Sequence, residues 1–248
     1  MLSRHYRQSR SPPRARIRIS RDVQPLPPCH TATLFRPLSR ELHDLLFDLS
    51  ADDWLRPTVA SEWRVRDVAA HLLDGQWRRL SAQRDAHQPP PDRIIKSDRD
   101  LAGFINAFNA GGVAYGARLS TRVLTDLLDL SGRQVAEVFG ALDPHAPALY
   151  GVSWAGEQVS ENWMDVGREY TERWHHQMQI RDAVAAPPTL LEARWYRPLL
   201  ELSVRATADA AWRLLYNALR SPVPPTAITI DGNQRLAEPL LQTRSVVI

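Results

Sequence analysis

The sequence has very few of the residues that build a cross-linked protein. Among its 248 residues there is one cysteine, Cys29, which excludes an internal disulfide framework. A chain without disulfides is typical of a reducing compartment, so a cytoplasmic location is expected. No run of about 18 apolar residues is present, which argues against a membrane partner and a transmembrane helix.

Sequence motifs of several large enzyme classes are also missing. The chain contains no G-x-S-x-G elbow, no P-loop, no G-x-G-x-x-G fingerprint and no H-E-x-x-H pair. These absences argue against the common serine hydrolases, P-loop nucleotide hydrolases, dinucleotide-dependent dehydrogenases and zincin proteases. Any catalytic chemistry must therefore come from a less familiar set of residues.

Charge is distributed unevenly along the chain. The formal net charge is +3, but residues 1–21 contain seven arginines and no acid, so the rest of the chain carries a net charge of −4. Residues 1–33 are rich in arginine and proline and lack a sustained apolar period, which predicts a disordered arm. Such an arm could bind an anionic partner, but no aromatic platform or nucleic-acid reading motif accompanies it. A nucleic-acid partner is therefore not expected.

Apolar residues recur at spacings of three and four through most of the chain, a pattern that predicts helices. A bundle is expected over residues 34–188, because long helices joined by modest loops are typical of bundles. The sequence pattern changes at residues 189–248, where short helices and strands are expected. This segment predicts a small α+β domain. The predicted helices of the bundle cover approximately residues 35–49, 64–84, 101–108 (ending at Gly111-Gly112), 118–142 and 160–185.

Two residues of the last bundle helix form a candidate metal-binding pair. Glu172 and His176 are four residues apart, so their side chains project from one face of the helix. His71, at the flank of the apolar stripe of the second helix, is the best candidate for a third ligand. Imidazole and carboxylate suit zinc, although nickel, iron and manganese also accept these ligands. Three protein ligands would leave one coordination position open, as in catalytic zinc sites.

Each of these residues also has a simpler interpretation. Asp165, Glu169 and Gln179 share the strip with Glu172, and such a strip is typical of a solvated helix face. A histidine beside an apolar stripe is more often a hydrogen-bonded core residue than a ligand. His175 competes with His176, because it projects to the other side of Glu172. Glu172 and His176 indicate a metal site only if the fold brings His71 to face them.

Two segments of the chain resemble a known family. Residues 62–75 read EWRVRDVAAHLLDG and resemble the W-x-V-x-D-V-x-x-H-L signature of the mycothiol-dependent maleylpyruvate isomerase-like family, within the wider DinB-like metal-binding bundles. Residues 172–181 read ERWHHQMQIR and resemble the second metal motif of that family, E-x-x-x-H followed by a polar run and an arginine. The likeness extends over roughly residues 30–248.

The resemblance implies a fold, a metal site and a reaction. The fold is mainly α, a DinB-like four-helix bundle followed by a small α+β C-terminal domain, which is shortened here between Leu202 and Trp212. By position the metal ligands are His71, Glu172 and His176, and the family register selects His176 over His175. The family reaction is a cis–trans isomerisation in which a metal lowers the pKa of the thiol mycothiol, which adds to a conjugated double bond and leaves after rotation.

Three functions follow as hypotheses. The first is a metal-dependent enzyme, with zinc favoured and mycothiol as thiol cosubstrate, which isomerises or transfers sulfur to a small-molecule electrophile or unsaturated acid. The shortened C-terminal domain argues against maleylpyruvate itself as the substrate. The second is a non-catalytic DinB-like protein that binds a metal or small ligand in stress response or detoxification. The third is an interaction protein that works through the arginine arm.

Overall fold

Four helices close into a ring in the computed structural model, which describes residues 27–60, 62–151 and 159–205. Helix α1 packs on α4, α4 on α2, α2 on α5 and α5 on α1, while α3 packs on the outside of α2 and α6 on α5. Within these ranges there is no β-strand. The predicted fold class, mainly α with a four-helix bundle, is confirmed. The helices are α1 (Phe35–Phe47), α2 (Val65–Arg79), α3 (Asp98–Gly116), α4 (Thr121–Ala141), α5 (Asn162–Ala183) and α6 (Ala193–Arg205).

Some expectations concern residues outside the described ranges. The arginine-rich part of the arm and the short elements expected after residue 205 lie there. The domain boundary at residue 188 stays a prediction. On its far side, Trp195, Leu199 and Leu202 of α6 belong to the same apolar cluster as Tyr170 and Trp174 of α5. No helix in the described ranges combines the length and the apolar character needed to cross a lipid bilayer.

The bundle interior consists of two apolar clusters. One contains Phe35 and Leu38 of α1, and the other contains Leu42 and Leu46 of the same helix. The boundary between the clusters falls at a matching level on all four helices and is occupied by polar or small residues, here called the polar layer. The hydroxyl of Ser131 donates a short hydrogen bond to Oε1 of Gln76, and both residues are buried. The members of the polar layer are Ser39, Gln76, Arg79, Ser131, Gly132, Arg173 and Gln177.

Helix α3 is longer than the sequence indicated. The prediction ended it at Gly111-Gly112, whereas the helix continues to Gly116. A Cβ on Gly112 would lie 2.4 Å from Cγ of Asp74, and one on Gly116 would lie 2.3 Å from Cβ of Ala70. Both glycines therefore allow α3 to approach α2 closely, and Gly112 lies within the helix and does not terminate it.

Other helix ends differ from the prediction by a few residues. The N-cap of α5 is Glu161, so the helix begins at Asn162, two residues after the predicted start. Helix α2 ends at Arg79 and continues as one π-helical segment through Arg84. At its start, Asp67 accepts a hydrogen bond from the backbone N–H of Arg64 at 2.9 Å, which satisfies one free donor of the first turn. The start of α2, and so the position of His71, is fixed in this way.

Candidate metal centre

Helices α2 and α5 bring the three predicted ligands together. One ligand atom from each of His71, Glu172 and His176 can be chosen such that all three lie within 4.8 Å of one another. The rings of His71 and His176 meet edge to face, with centroids 4.7 Å apart. Within the described residues this is the one group of three or more such side chains close enough to hold a metal ion. Their role as ligands stays a prediction, but the facing arrangement on which it depends is present.

The orientation of His176 is fixed by a neighbouring amide. Nδ1 of His176 donates a hydrogen bond to Oε1 of Gln179 at 2.8 Å, and Nε2 of Gln179 donates to Nε2 of His175 at 2.8 Å. His176 therefore turns Nε2, and not Nδ1, toward Glu172. Hydrogen bonds of this kind orient metal-ligating histidines in many proteins.

Two candidate ligand atoms then face each other across the site. Nε2 of His176 lies 3.4 Å from Oε2 of Glu172. A proton on Nε2 would join the two groups as an ion pair, and a metal ion in place of that proton would be bound by both atoms. The separation is close to the approximately 3.4 Å between two ligands of tetrahedral zinc with bonds of about 2.0–2.1 Å. Nδ1 of His71 is buried and has no hydrogen-bond partner among the residues that the structure describes, which is rare for a buried polar atom. The residues therefore fit a divalent metal.

The protonation states also suit a cation. Burial, followed by the charge of the neighbouring His176, lowers the pKa of His71 to about 3. Burial raises the pKa of Glu172, but His176 and Arg168 outweigh this effect and bring that pKa down to about 2. At neutral pH His71 is therefore an uncharged imidazole and Glu172 a carboxylate, which are the forms that bind metals.

Comparison with known families shows which family the chain belongs to. The model described as "Mycothiol maleylpyruvate isomerase N-terminal domain" matches residues 35–181, which is more than half of the chain and includes all three candidate ligands. The chain belongs to this family. The matched span begins with α1 and ends inside α5, so it covers the four-helix ring of the bundle.

Relatives of this mycothiol maleylpyruvate isomerase family member include two uncharacterized proteins of Mycobacterium tuberculosis, from strain CDC 1551 / Oshkosh and strain ATCC 25618 / H37Rv. Each is 27% identical over 199 residues, covering 79% of this chain and 71% of the relative. A crystal structure of a histidine-to-alanine mutant of the mycothiol-dependent maleylpyruvate isomerase matches with a TM-score of 0.48 and 13% identity. That match covers 69% of this chain and 65% of the other, so the chain spans less than two thirds of that enzyme.

A buried ionic network adjoins the candidate ligands of this family member. Arg79 of α2 donates to both carboxylate oxygens of Asp165 at 2.7 and 3.0 Å, and to Glu169 at 2.9 Å. Arg168 reaches the same two acids at 3.0 and 2.8 Å. The network joins α2 to α5 directly beside Glu172, so it helps to set the spacing of the helices that carry the ligands.

The sequence interpretation missed this network. Asp165 is 2% exposed, so the interpretation of the acidic strip as a solvated face is wrong for this residue. A signal was present, because Arg79 continues the apolar stripe formed by Val65, Val68 and Leu72 of α2. A charged residue in an apolar stripe indicates a buried ion pair, and acids on a facing helix are the natural partners.

Proposed function

We propose that the protein is a metal-dependent enzyme, with zinc the favoured metal, that activates a low-molecular-weight thiol of the mycothiol type. Its reaction would be an isomerisation or an S-transfer on a small electrophile or unsaturated acid. The observation that carries the proposal is the convergence of His71, Glu172 and His176, whose ligand atoms lie within 4.8 Å of one another. Membership of the mycothiol maleylpyruvate isomerase family supports the choice of thiol.

Each residue of the site has a defined part in the proposal. His71 and His176 would offer neutral nitrogen atoms and Glu172 one negative charge, which leaves a fourth coordination position open. A bound divalent metal would lower the pKa of a thiol at that position. Gln179 keeps Nε2 of His176 directed into the site. The ring of Trp63 lies 4.9 Å from that of His71 and excludes water from one side.

Charge balance favours a thiolate over a neutral ligand at the open position. The three side chains supply one negative charge, so a divalent ion would keep a net charge of +1. In a partly buried site an anion then stabilises the cation more strongly than water does, because the effective dielectric constant is low. The site is thus suited to hold the deprotonated form of a thiol at neutral pH.

The proposal is tested first by metal content. Protein purified without a chelator is expected to contain close to one equivalent of metal by mass spectrometry, and His71→Ala and His176→Ala are each expected to lose it. His145→Ala is the matched control, because this histidine is exposed and contacts Glu161, away from the site. Unchanged metal stoichiometry in both site variants would exclude the proposed centre.

Turnover separates the enzyme from a binding protein. The metal-loaded protein is incubated with mycothiol and a panel of unsaturated acids and electrophiles, and the products are followed by mass spectrometry. The expected result is turnover that requires both the thiol and the metal. Metal binding without thiol-dependent turnover of any substrate would instead favour the non-catalytic metal-binding or small-ligand-binding protein.

A further inference from the structure

A second concave site lies between α2 and α3, apart from the candidate metal ligands. The cavity has a volume of about 370 Å³, within the range of roughly 300–1,000 Å³ that is usual for small-molecule sites. Its walls are mainly apolar and aromatic, and one carboxylate contributes to them. The lining includes Leu73, Asp74, Trp77, Phe108, Gly112 and Tyr115.

The cavity is accessible from solvent along α3. Residues 101–117 contain no charged side chain, although 24% of the whole chain is charged. Phe108 is 43% exposed and Tyr115 is 50% exposed, so the aromatic wall reaches the surface. Exposed aromatic residues around a concave apolar site are typical of ligand binding.

Arg78 contacts two residues that line this cavity, Asp74 and Phe108. Its Nε is 2.8 Å from Oδ2 of Asp74, and its Nη2 donates to Oδ1 of Asn109 at 3.0 Å. Its Cζ lies 4.8 Å from the centre of the Phe108 ring. The two polar contacts use the edge formed by Nε and Nη2, the Phe108 ring covers one face, and Nη1 makes no hydrogen bond to any residue that the structure describes. A planar guanidinium with a free edge is well suited to a carboxylate.

We propose that this cavity binds a small carboxylic acid with a flat apolar body, and that Arg78 holds its carboxylate. The aromatic walls accept the flat body, and the free edge of Arg78 accepts the anion. Asp74 is not available to a cationic ligand, because it pairs with Arg78 and its side chain packs against Gly112.

The cavity and the candidate metal centre are neighbours on α2. Ala70 and Asp74, which line the cavity, flank His71 in the helix. Arg78 follows His71 by seven residues, which places it on nearly the same side of the helix, about 10 Å further along the axis. An acid anchored at Arg78 would thus lie beside the metal centre. Its use as a substrate rests on the proposed function, whereas its binding does not.

The test uses benzoate and its uncharged isostere benzamide as probes, with calorimetry on the metal-loaded full-length protein. Benzoate is expected to bind at least about tenfold more tightly than benzamide, because a charge-assisted hydrogen bond contributes about 1.4 kcal/mol or more. Arg78→Gln should remove this preference and leave benzamide binding unchanged. Circular dichroism confirms that the variant is folded.

Two glycines of α3 provide a matched pair of further variants. A Cβ on Gly111 or on Gly103 would meet no atom within 4 Å, so an added side chain begins in open space at both positions. Gly111 lines the cavity, whereas Gly103 does not. Gly111→Leu should therefore abolish the binding of both probes, and Gly103→Leu should abolish neither.

Three results would overturn the proposal. They are the absence of benzoate binding, benzoate binding that Arg78→Gln leaves unchanged, and benzoate binding that survives Gly111→Leu. The same titration on His71→Ala separates this proposal from the proposed function, because cavity binding is expected to persist without metal. Loss of benzoate binding in His71→Ala would show that the probe binds at the metal and not in the cavity.

Discussion

Gln179 accepts a hydrogen bond from His176 at 2.8 Å and so determines which ring nitrogen of that histidine faces Glu172. Gln179 is in turn oriented by His175, since its amide nitrogen donates to that ring. Burial, followed by the charge of His176, lowers the pKa of His175 to about 4, so at neutral pH it is uncharged and can accept this bond. The adjacent histidines thus have different positions in the site. His176 faces Glu172, whereas His175 accepts a hydrogen bond from the amide of Gln179 that orients His176.

Replacing this amide should weaken metal binding without removing a ligand. Gln179→Leu is expected to reduce metal affinity by about ten- to a hundredfold, the usual effect of losing an outer hydrogen-bond partner. The measurement is competition with a chromophoric chelator. Gln134→Leu is the control, because Gln134 contacts Arg84 on an exposed surface. An unchanged affinity in Gln179→Leu would show that the orientation of His176 does not depend on this bond.

The buried pair of Arg79 and Asp165 should contribute strongly to folding. Both side chains are 3% exposed, so Asp165→Ala leaves a buried guanidinium short of one partner. The expected loss is about 3–5 kcal/mol in the free energy of unfolding, measured with urea. Asp126→Ala breaks the exposed pair with Arg122 and is expected to change stability by about 1 kcal/mol or less. Similar losses in the two variants would contradict the assigned role of the network.

Stability should fall in acid through Glu169. Burial raises the pKa of Glu169, but Arg79, Arg168 and Arg173 together outweigh burial and hold that pKa well below its ordinary value. A depressed folded-state pKa gives stability that is present above the unfolded-state pKa, about 4.3, and is lost as the pH falls. Urea unfolding from pH 6 to pH 3 should therefore show a decline that Glu169→Gln makes shallower. Glu192→Gln, at an exposed pair with Arg194, should leave the slope unchanged.

Much of the bundle and of the candidate site could be predicted from the sequence, because apolar spacing reports a buried face directly. The leucines of α1 predicted its buried stripe, and the two motifs identified His71, Glu172 and His176 as facing residues. The network around Arg79 was not predicted, because a helical period shows that Asp165 shares a face with Glu172 and does not show what that face contacts. Gly112 was misinterpreted because a glycine that permits close packing looks locally like one that ends a helix.

The close approach of α2 and α3 gives a stability prediction. Gly116→Ala would bring a methyl group to 2.3 Å from Cβ of Ala70, whereas Gly103→Ala would meet nothing within 4 Å. Gly103→Ala is expected to stabilise the protein by up to about 1 kcal/mol through helix propensity. Gly116→Ala is expected to destabilise it, because overpacking of about 1–3 kcal/mol exceeds that gain. Stabilisation by both changes in thermal unfolding would show that α3 does not pack tightly on α2.

The polar layer restricts how far the helices can shift along one another. A slip of α5 by one turn, about 5.4 Å, would move Arg173 and Gln177 against leucines of the neighbouring helices and separate Arg79 from its acids. The three candidate ligand atoms lie within 4.8 Å of one another. A shift of one turn is larger than this distance, so it would move Glu172 and His176 away from His71. Apolar residues of the two clusters can therefore be substituted without separating the three candidate ligands. The condition is that the side chains of the polar layer are kept, because they hold the helices at a fixed relative height.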